Sequence, residues 1–270
     1  MSYEAILYAV ANGVATVTLN RPQKYNAITD QLLHELRAAI EHTARSEEVR
    51  CLVLTGAGKA FCAGQDLTAF RGRWASEDTA TRDSAFIEEH LHQNYHPVIM
   101  GLRNLEKPVI AAVNGVAAGA GCSLALAADL RIAADNASFI QAFSRIGLIP
   151  DSGSTYFLPR LIGLARAFEM IFTGDAISAQ DALAMGLVNR IAPADELMDV
   201  TRQLAERLAQ GPTYSLGLAK RAVNIALNGD LQTALNTEAR LQVEAVGSRD
   251  AAEGINAFLE KRPAHFQGRK

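Results

Sequence analysis

Residues 109 to 129, VIAAVNGVAAGAGCSLALAAD, decide how the chain folds. Pro108 opens a short apolar run, Val109–Val113, of the kind a parallel strand covered on both faces requires. Residues 123 to 128 are rich in leucine and alanine and favour helix. Between the two lie Gly115, Gly119 and Gly121. Glycine there permits positive φ and close approach of a ligand to the main chain, and the free N–H groups at a helix start carry partial positive charge. A strand, a glycine turn and a helix in this order suit an oxygen that gains negative charge. Glycines serving only the packing of the two elements remain the alternative.

Two nucleotide-binding readings fail on spacing. Gly119-Ala120-Gly121 imitates the start of G-x-G-x-x-G, but Leu124 fills the third glycine position and the turn is far from the N-terminus. The segment TGAGKAF at residues 55 to 61 has Val53 where a phosphate loop needs its first glycine, and no Ser or Thr follows Lys59.

Working outward, residues 3 to 19 alternate apolar and polar around Asn12-Gly13, the strongest short hairpin signal. Thr29 is placed to cap a helix with Leu32, Leu33, Leu36 and Ile40 on one face. Residues 49 to 54 read as a buried strand whose exit, TGAGKAFCAGQDL, is a second glycine-rich loop about sixty residues before the first. Residues 71 to 96 show no firm period and read as irregular and helical cover. His90, His92 and His96 invite a metal, yet no nearby Cys or carboxylate completes a ligand set, so they are expected to be structural or surface residues. After residue 129, short strands at residues 130 to 133 and 137 to 141 lead into FSRIGLIPDSGSTYFLPRLIG. There Gly147, Pro150 and Gly153 shape a loop around Asp151, and the helix after it should bury Phe157, Leu161 and Ile162. Ser178 and Asp181 have capping-box spacing before a helix ended by Gly186 and a last strand. From residue 194 only helical segments appear. The expected organisation is therefore a core over residues 1 to 193 and a helical region over residues 194 to 270, joined in one compact unit.

Bulk properties narrow the function classes. The chain has 270 residues, 49% hydrophobic and 20% charged, which suffices for a substantial core. A net charge of −3 without charge runs leaves no broad footprint for nucleic acid and no polybasic membrane patch. Cys51, Cys62 and Cys122 are odd in number and scattered, as reduced thiols of a cytoplasmic protein would be. The N-terminus resembles neither a signal peptide nor a membrane span.

If the loops near residues 62 to 66 and 119 to 121 meet, each aiming one N–H at a common point, they form an oxyanion hole for a thioester carbonyl. Such a hole needs a base. Asp151, the only carboxylate from residue 139 to residue 163, is the candidate, with a plain helix cap near Ser154 as the competing reading. The segment PDSGST resembles the serine neighbourhood of trypsin-like proteases, but the all-β patterning of that fold and G-x-S-x-G are both missing.

The three loops together, TGAGKAFCAGQDL, KPVIAAVNGVAAGAGCSLALAADLRIA and FSRIGLIPDSGSTYFLPRLIG, resemble the crotonase (enoyl-CoA hydratase/isomerase) superfamily. The resemblance extends to LNRP with Lys24 and Asn26, to ISAQDALAMGLVNRI and to the tail GINAFLEKRPAHFQG, and in detail it is nearest the ring-1,2-epoxyphenylacetyl-CoA isomerases of phenylacetate breakdown. It implies an α/β fold with a ββα spiral core and a C-terminal helical region used for trimerisation, as a trimer or a dimer of trimers. It implies no cofactor and no metal beyond the coenzyme A carried by the substrate. The oxyanion donors would be the N–H groups of Gln65 and Ala120, and the coenzyme A path would be lined by Lys24, Ala27, Ala63, Asp66, Leu67, Val116 and Gly119, with Lys261 reaching a neighbour's nucleotide. Asp66 as a structural helix cap is the alternative. The two glutamates that hydratases use correspond to Ser123 and Phe143, which disfavours water addition, while Asp151 matches the acidic position of isomerase branches. The implied activity is acyl-CoA isomerisation, with an enoyl-CoA hydratase as runner-up and an RNA- or acyl-CoA-binding relative as the non-enzymatic alternative.

Overall fold

The computed structural model describes residues 3 to 70 and 84 to 270. The chain begins with the expected hairpin: β1 (Ile6–Ala11) pairs antiparallel with β2 (Val14–Leu19), and Asn12 and Gly13 turn between them at φ 52° and 76°. Both central residues at positive φ are what a two-residue turn matched to strand twist demands. Helix α1 (Asp30–Arg45) starts at Thr29, whose Oγ1 accepts from the Leu32 N–H, and buries Leu32, Leu33, Leu36 and Ile40 as their spacing predicts.

A repeating step then builds the core. Each turn of the chain lays one long strand in a large sheet and one short strand in a small one. The long strands are β3 (Cys51–Gly56), β5 (Val109–Val113) and β7 (Leu130–Ala134). The short strands paired with them in sequence are β4 (Ala60–Cys62), β6 (Val116–Ala118) and β8 (Ser138–Ile140). With β9 (Ala176–Ser178) and β10 (Arg190–Ala192), the large sheet runs β1-β2-β3-β5-β7-β10 and the small one β4-β6-β8-β9. β3, β5 and β7 are parallel neighbours, and β3 and β5 are wholly buried, which is why their sequences are continuous apolar runs. This is the expected ββα spiral.

One difference concerns the stretch that organises the chain. The glycine turn after β5 is itself structured, since residues 116 to 118 form β6, and helix α4 (Ala120–Leu126) begins three residues before the leucine- and alanine-rich segment. The reason is packing of main chain on main chain. A methyl on Gly115 would lie 2.1 Å from the Lys59 carbonyl oxygen, and one on Gly121 would lie 2.3 Å from that of Cys62. Glycine lets successive turns of the spiral touch through their backbones, and that contact overrides the weak helix propensity of glycine at residue 121.

The remaining elements close the core. In the cover, α2 (Ser84–His90), a π-helical turn (Leu91–Tyr95) and α3 (His96–Asn104) supply the helical part expected there, and residues 71 to 83 of that stretch lie outside the described residues. Helix α5 (Ser154–Ile162) buries Phe157 and Ile162, with Leu161 partly buried, and α6 (Leu164–Thr173) comes next. Helix α7 (Ala179–Ala184) starts at Ser178, whose Oγ accepts from the Asp181 N–H. Beyond residue 194 come α8 (Leu197–Ala209), α9 (Thr213–Ala226), α10 (Leu231–Val246) and α11 (Arg249–Glu260). Helix α8 lies across β2, β3, β5, β7 and β10. Helix α9 is tied down by Lys220, whose ammonium donates to the Leu102 carbonyl and to the Asp129 carboxylate at 2.8 and 2.9 Å. Among the described residues no helix is long and apolar enough to cross a membrane.

Candidate active site

The loop carrying Gln65 and the turn carrying Ala120 touch where the small sheet meets α4. The Gly64 carbonyl accepts from the Ile28 N–H at 2.8 Å, and the Asp66 N–H donates to the Ile28 carbonyl at 2.9 Å. In a trans peptide the N–H points opposite the C=O, so the Gln65 N–H faces away from Ile28. In the same way the Gly119 carbonyl accepts from the Ser123 N–H at 3.0 Å inside α4, so the Ala120 N–H, at the first helical position, points out of the helix end. Gly119 and Gly64 hold φ of 50° and 92°, and a methyl on Gly64 would lie 3.5 Å from the Ala120 nitrogen and 2.8 Å from the Ala118 oxygen. The two loops are therefore in main-chain contact, each with an N–H turned outward.

Asp151 is fastened to the same helix. Ser123 stands one turn along α4 from Ala120, and its Oγ donates to the Asp151 main-chain oxygen at 3.1 Å and shares a hydrogen bond with Ser154 Oγ at 2.7 Å. Gln141 Nε2 donates to Ser154 Oγ at 3.0 Å and completes a buried polar post. The position where hydratases are expected to carry an acid thus holds a serine that anchors the aspartate loop. Phe143, the other such position, is buried with its ring 4.0 Å from a methyl placed on Gly119.

The Asp151 side chain is not a helix cap: Gly153 occupies the N-cap of α5 without a side-chain bond, and Asp151 Oδ1 instead accepts from Ser152 Oγ at 2.9 Å. The carboxyl is half-buried, and burial raises its pKa above the ordinary aspartate value; the Ser152 hydrogen bond and the charges of His96 and His90 offset this in part. A raised carboxyl pKa means the folded state binds more protons between the unfolded and folded values, so stability falls as pH rises through that window. Asp151→Asn is accordingly expected to melt above the wild type at pH 7, the gap closing below about pH 4, as thermal unfolding across pH will show.

The residues expected along a coenzyme A path form a rim beside the amides. The Ala63 N–H donates to the Tyr25 carbonyl at 2.9 Å, the Ala27 N–H to the Lys24 carbonyl at 2.9 Å, and Val116 pairs with Ala60. Lys24, Ala63, Leu67 and Val116 are exposed on this rim. Asp66 carries the structural work considered for it: it pairs with Arg21 at 3.0 Å and accepts from the Thr68 N–H at 3.2 Å, and its bonds to Thr68 and Arg21 lower its pKa. Lys261 is not brought to the rim within one chain. It caps the C-terminus of α11, and the tail beyond it runs to Asp250 and Arg50, next to the start of β3, whereas the rim lies past the end of that strand.

The histidines belong to the cover. Among the described residues no group of three or more His, Cys, Asp or Glu side chains is placed to hold a metal. His90 is buried against Tyr95 with ring centroids 5.6 Å apart, and His92 and His96 contact each other at 3.2 Å. A cavity of about 920 Å³ opens next to Ser152 and Gly153 and is lined in part by His96, Met100, Tyr156 and Phe157. All three cysteines are buried, with pKa values pushed up to about 12 by desolvation, so none is an activated nucleophile.

Comparison with known proteins decides the family. Residues 9 to 269 match the enoyl-CoA hydratase/isomerase family. The chain belongs to that family. It is 46% identical over 269 residues to a protein named probable enoyl-CoA hydratase from Rhodobacter capsulatus, covering 100% of both chains. It is 44% identical over 266 residues to the 1,2-epoxyphenylacetyl-CoA isomerase of Escherichia coli, covering 98% of this chain and 99% of that one. The crystal structure of an enoyl-CoA hydratase from Bacillus anthracis superposes with a TM-score of 0.90 at 35% identity, covering 98% of this chain and 100% of the other. Family membership makes this an acyl-CoA hydratase/isomerase.

Proposed function

We propose that this family member is an acyl-CoA isomerase in which Asp151 moves a proton while the Gln65 and Ala120 N–H groups hold the thioester oxygen. What supports the reading is that Ser123 and Phe143 stand where the resemblance places the hydratase acids, and that Ser123, one helical turn from Ala120, holds the main chain of Asp151, whose carboxyl is half-buried. For an enoyl substrate the carboxylate accepts a proton from one carbon, the electron pair delocalises into the thioester as an enolate held by the two N–H groups, and the proton returns at another carbon. Neither a cofactor nor a metal is needed for that exchange. The rim of Lys24, Ala27, Ala63, Asp66, Leu67, Val116 and Gly119 carries the coenzyme A portion.

The acyl group we favour is 2-(1,2-epoxy-1,2-dihydrophenyl)acetyl, rearranged to oxepin-CoA, on the likeness to the Escherichia coli isomerase. Hydration is the second reading, favoured by the name of the Rhodobacter capsulatus relative. We further propose assembly as a trimer or a dimer of trimers through the exposed apolar side chains of α10 and α11, among them Leu235, Val243, Val246, Phe258 and Leu259. The test is turnover of a panel of thioesters followed by mass spectrometry. Isomerisation without mass change on the ring epoxide or on 3-enoyl-CoA supports the reading. Rapid addition of water to crotonyl-CoA with no isomerisation of the others refutes it.

A further inference from the structure

We propose that Tyr95 is a positioning residue for this site, its hydroxyl tethering the Gln65 side chain and thereby fixing the orientation of the Gln65 N–H. The proposal rests on the role given above to that N–H. The Gln65 backbone is held by the exchange of hydrogen bonds between Ile28 and residues 64 and 66. The bond from the Ile28 N–H to the Gly64 carbonyl is the main-chain restraint on the Gly64–Gln65 peptide, whose N–H is the proposed donor. The side chain adds a second point of attachment on another element: the Tyr95 hydroxyl donates to Gln65 Oε1.

The tether is built into the cover. Tyr95 ends the π-helical turn Leu91–Tyr95, in which the His96 N–H reaches back five residues to the Leu91 carbonyl. A π turn inserts one residue into a helix and rotates the next turn by about 100°, and such turns recur at functional sites. The Tyr95 ring is 4% exposed, and His90 packs edge-on against it, so the hydroxyl has little room to wander. Burial, reinforced by the nearby charge of Asp151, holds its pKa well above the ordinary phenol value. Tyr95 therefore remains a donor throughout the working pH range. It links the wall facing Asp151 to the loop that carries the amide.

The test compares Tyr95→Phe, Gln65→Leu and the double variant on the thioester the wild type turns over fastest. Both single variants keep the Gln65 N–H, and phenylalanine keeps the ring packing. The expected result is a fall in kcat of about tenfold in each single variant, KM within about twofold, unchanged melting temperature, and no further loss in the double variant. Wild-type kcat in Tyr95→Phe, or losses that multiply in the double variant, would overturn the proposal. Should Tyr95→Phe not fold, Gln65→Leu removes the same bond from the other end and is read in the same way. Asp151→Asn measured alongside reports separately on the parent reading: full activity there removes Asp151 from the mechanism and leaves the Tyr95 comparison intact.

Discussion

Asp151→Asn is expected to lower kcat for isomerisation by about 10³-fold with KM changed by no more than a few fold, since positioned acid–base groups contribute typically 10² to 10⁴. Asparagine has nearly the same shape, and its Oδ1 still accepts from Ser152 Oγ, so the loop loses the proton acceptor and little else. The pH dependence sharpens the test. Because burial raises the Asp151 pKa, the acid limb of the wild-type profile should lie above the ordinary carboxylate range, with activity gained as the group ionises. Residual activity of the asparagine variant should show no such limb. A variant within about tenfold of wild type would exclude the carboxylate as the base.

Ala120→Pro carries the second large effect, a loss of about 10² to 10³ in kcat, the usual cost of removing one oxyanion donor. The substitution deletes the N–H and puts the proline Cδ in its place, so the donor and the space for the oxygen are lost together. Ala120 is the first residue of α4, where proline is tolerated because its fixed φ suits the helix start and its missing N–H has no partner within the helix. Gly119 before it has no Cβ to clash with the new ring. Circular dichroism and melting temperature should therefore stay close to wild type while kcat collapses. An active proline variant would show that this N–H does not bear on the reaction.

Much of the fold was legible because its decisive signals are local. Asn12-Gly13, the Thr29 cap and the Ser178–Asp181 pair each act within a few residues, and the buried parallel strands announce themselves as apolar runs. β6 was not legible. It consists of three residues whose hydrogen bonds run to β4 and β8, partners distant in sequence, and nothing in VAA distinguishes strand from turn. Glycine and proline placement pointed to the two loops and to Asp151 as a candidate, while Gln65 and Ala120 were singled out by the family resemblance alone. Their supports were not legible. Ser123 was visible only as a missing acid, while its bonds to the Asp151 main chain and to Ser154 depend on how α4 and α5 dock. Tyr95 was hidden in a segment of weak period, and the π turn that aims it leaves no mark in composition.

The backbone contacts at Gly64, Gly115 and Gly121 bear on how this protein tolerates change. Because neighbouring coils of the spiral rest carbonyl against α-carbon, the gap between the amide-bearing loops is a dimension of the polypeptide itself, indifferent to which aliphatic residues fill the interior. Sequence drift among Leu, Ile and Val inside the sheets can thus proceed without disturbing the reaction geometry, whereas a single added methyl at residue 115 or 121 pries the coils apart. Novel acyl preferences are accordingly expected to arise in the cover and around the cavity, leaving the glycine contacts untouched.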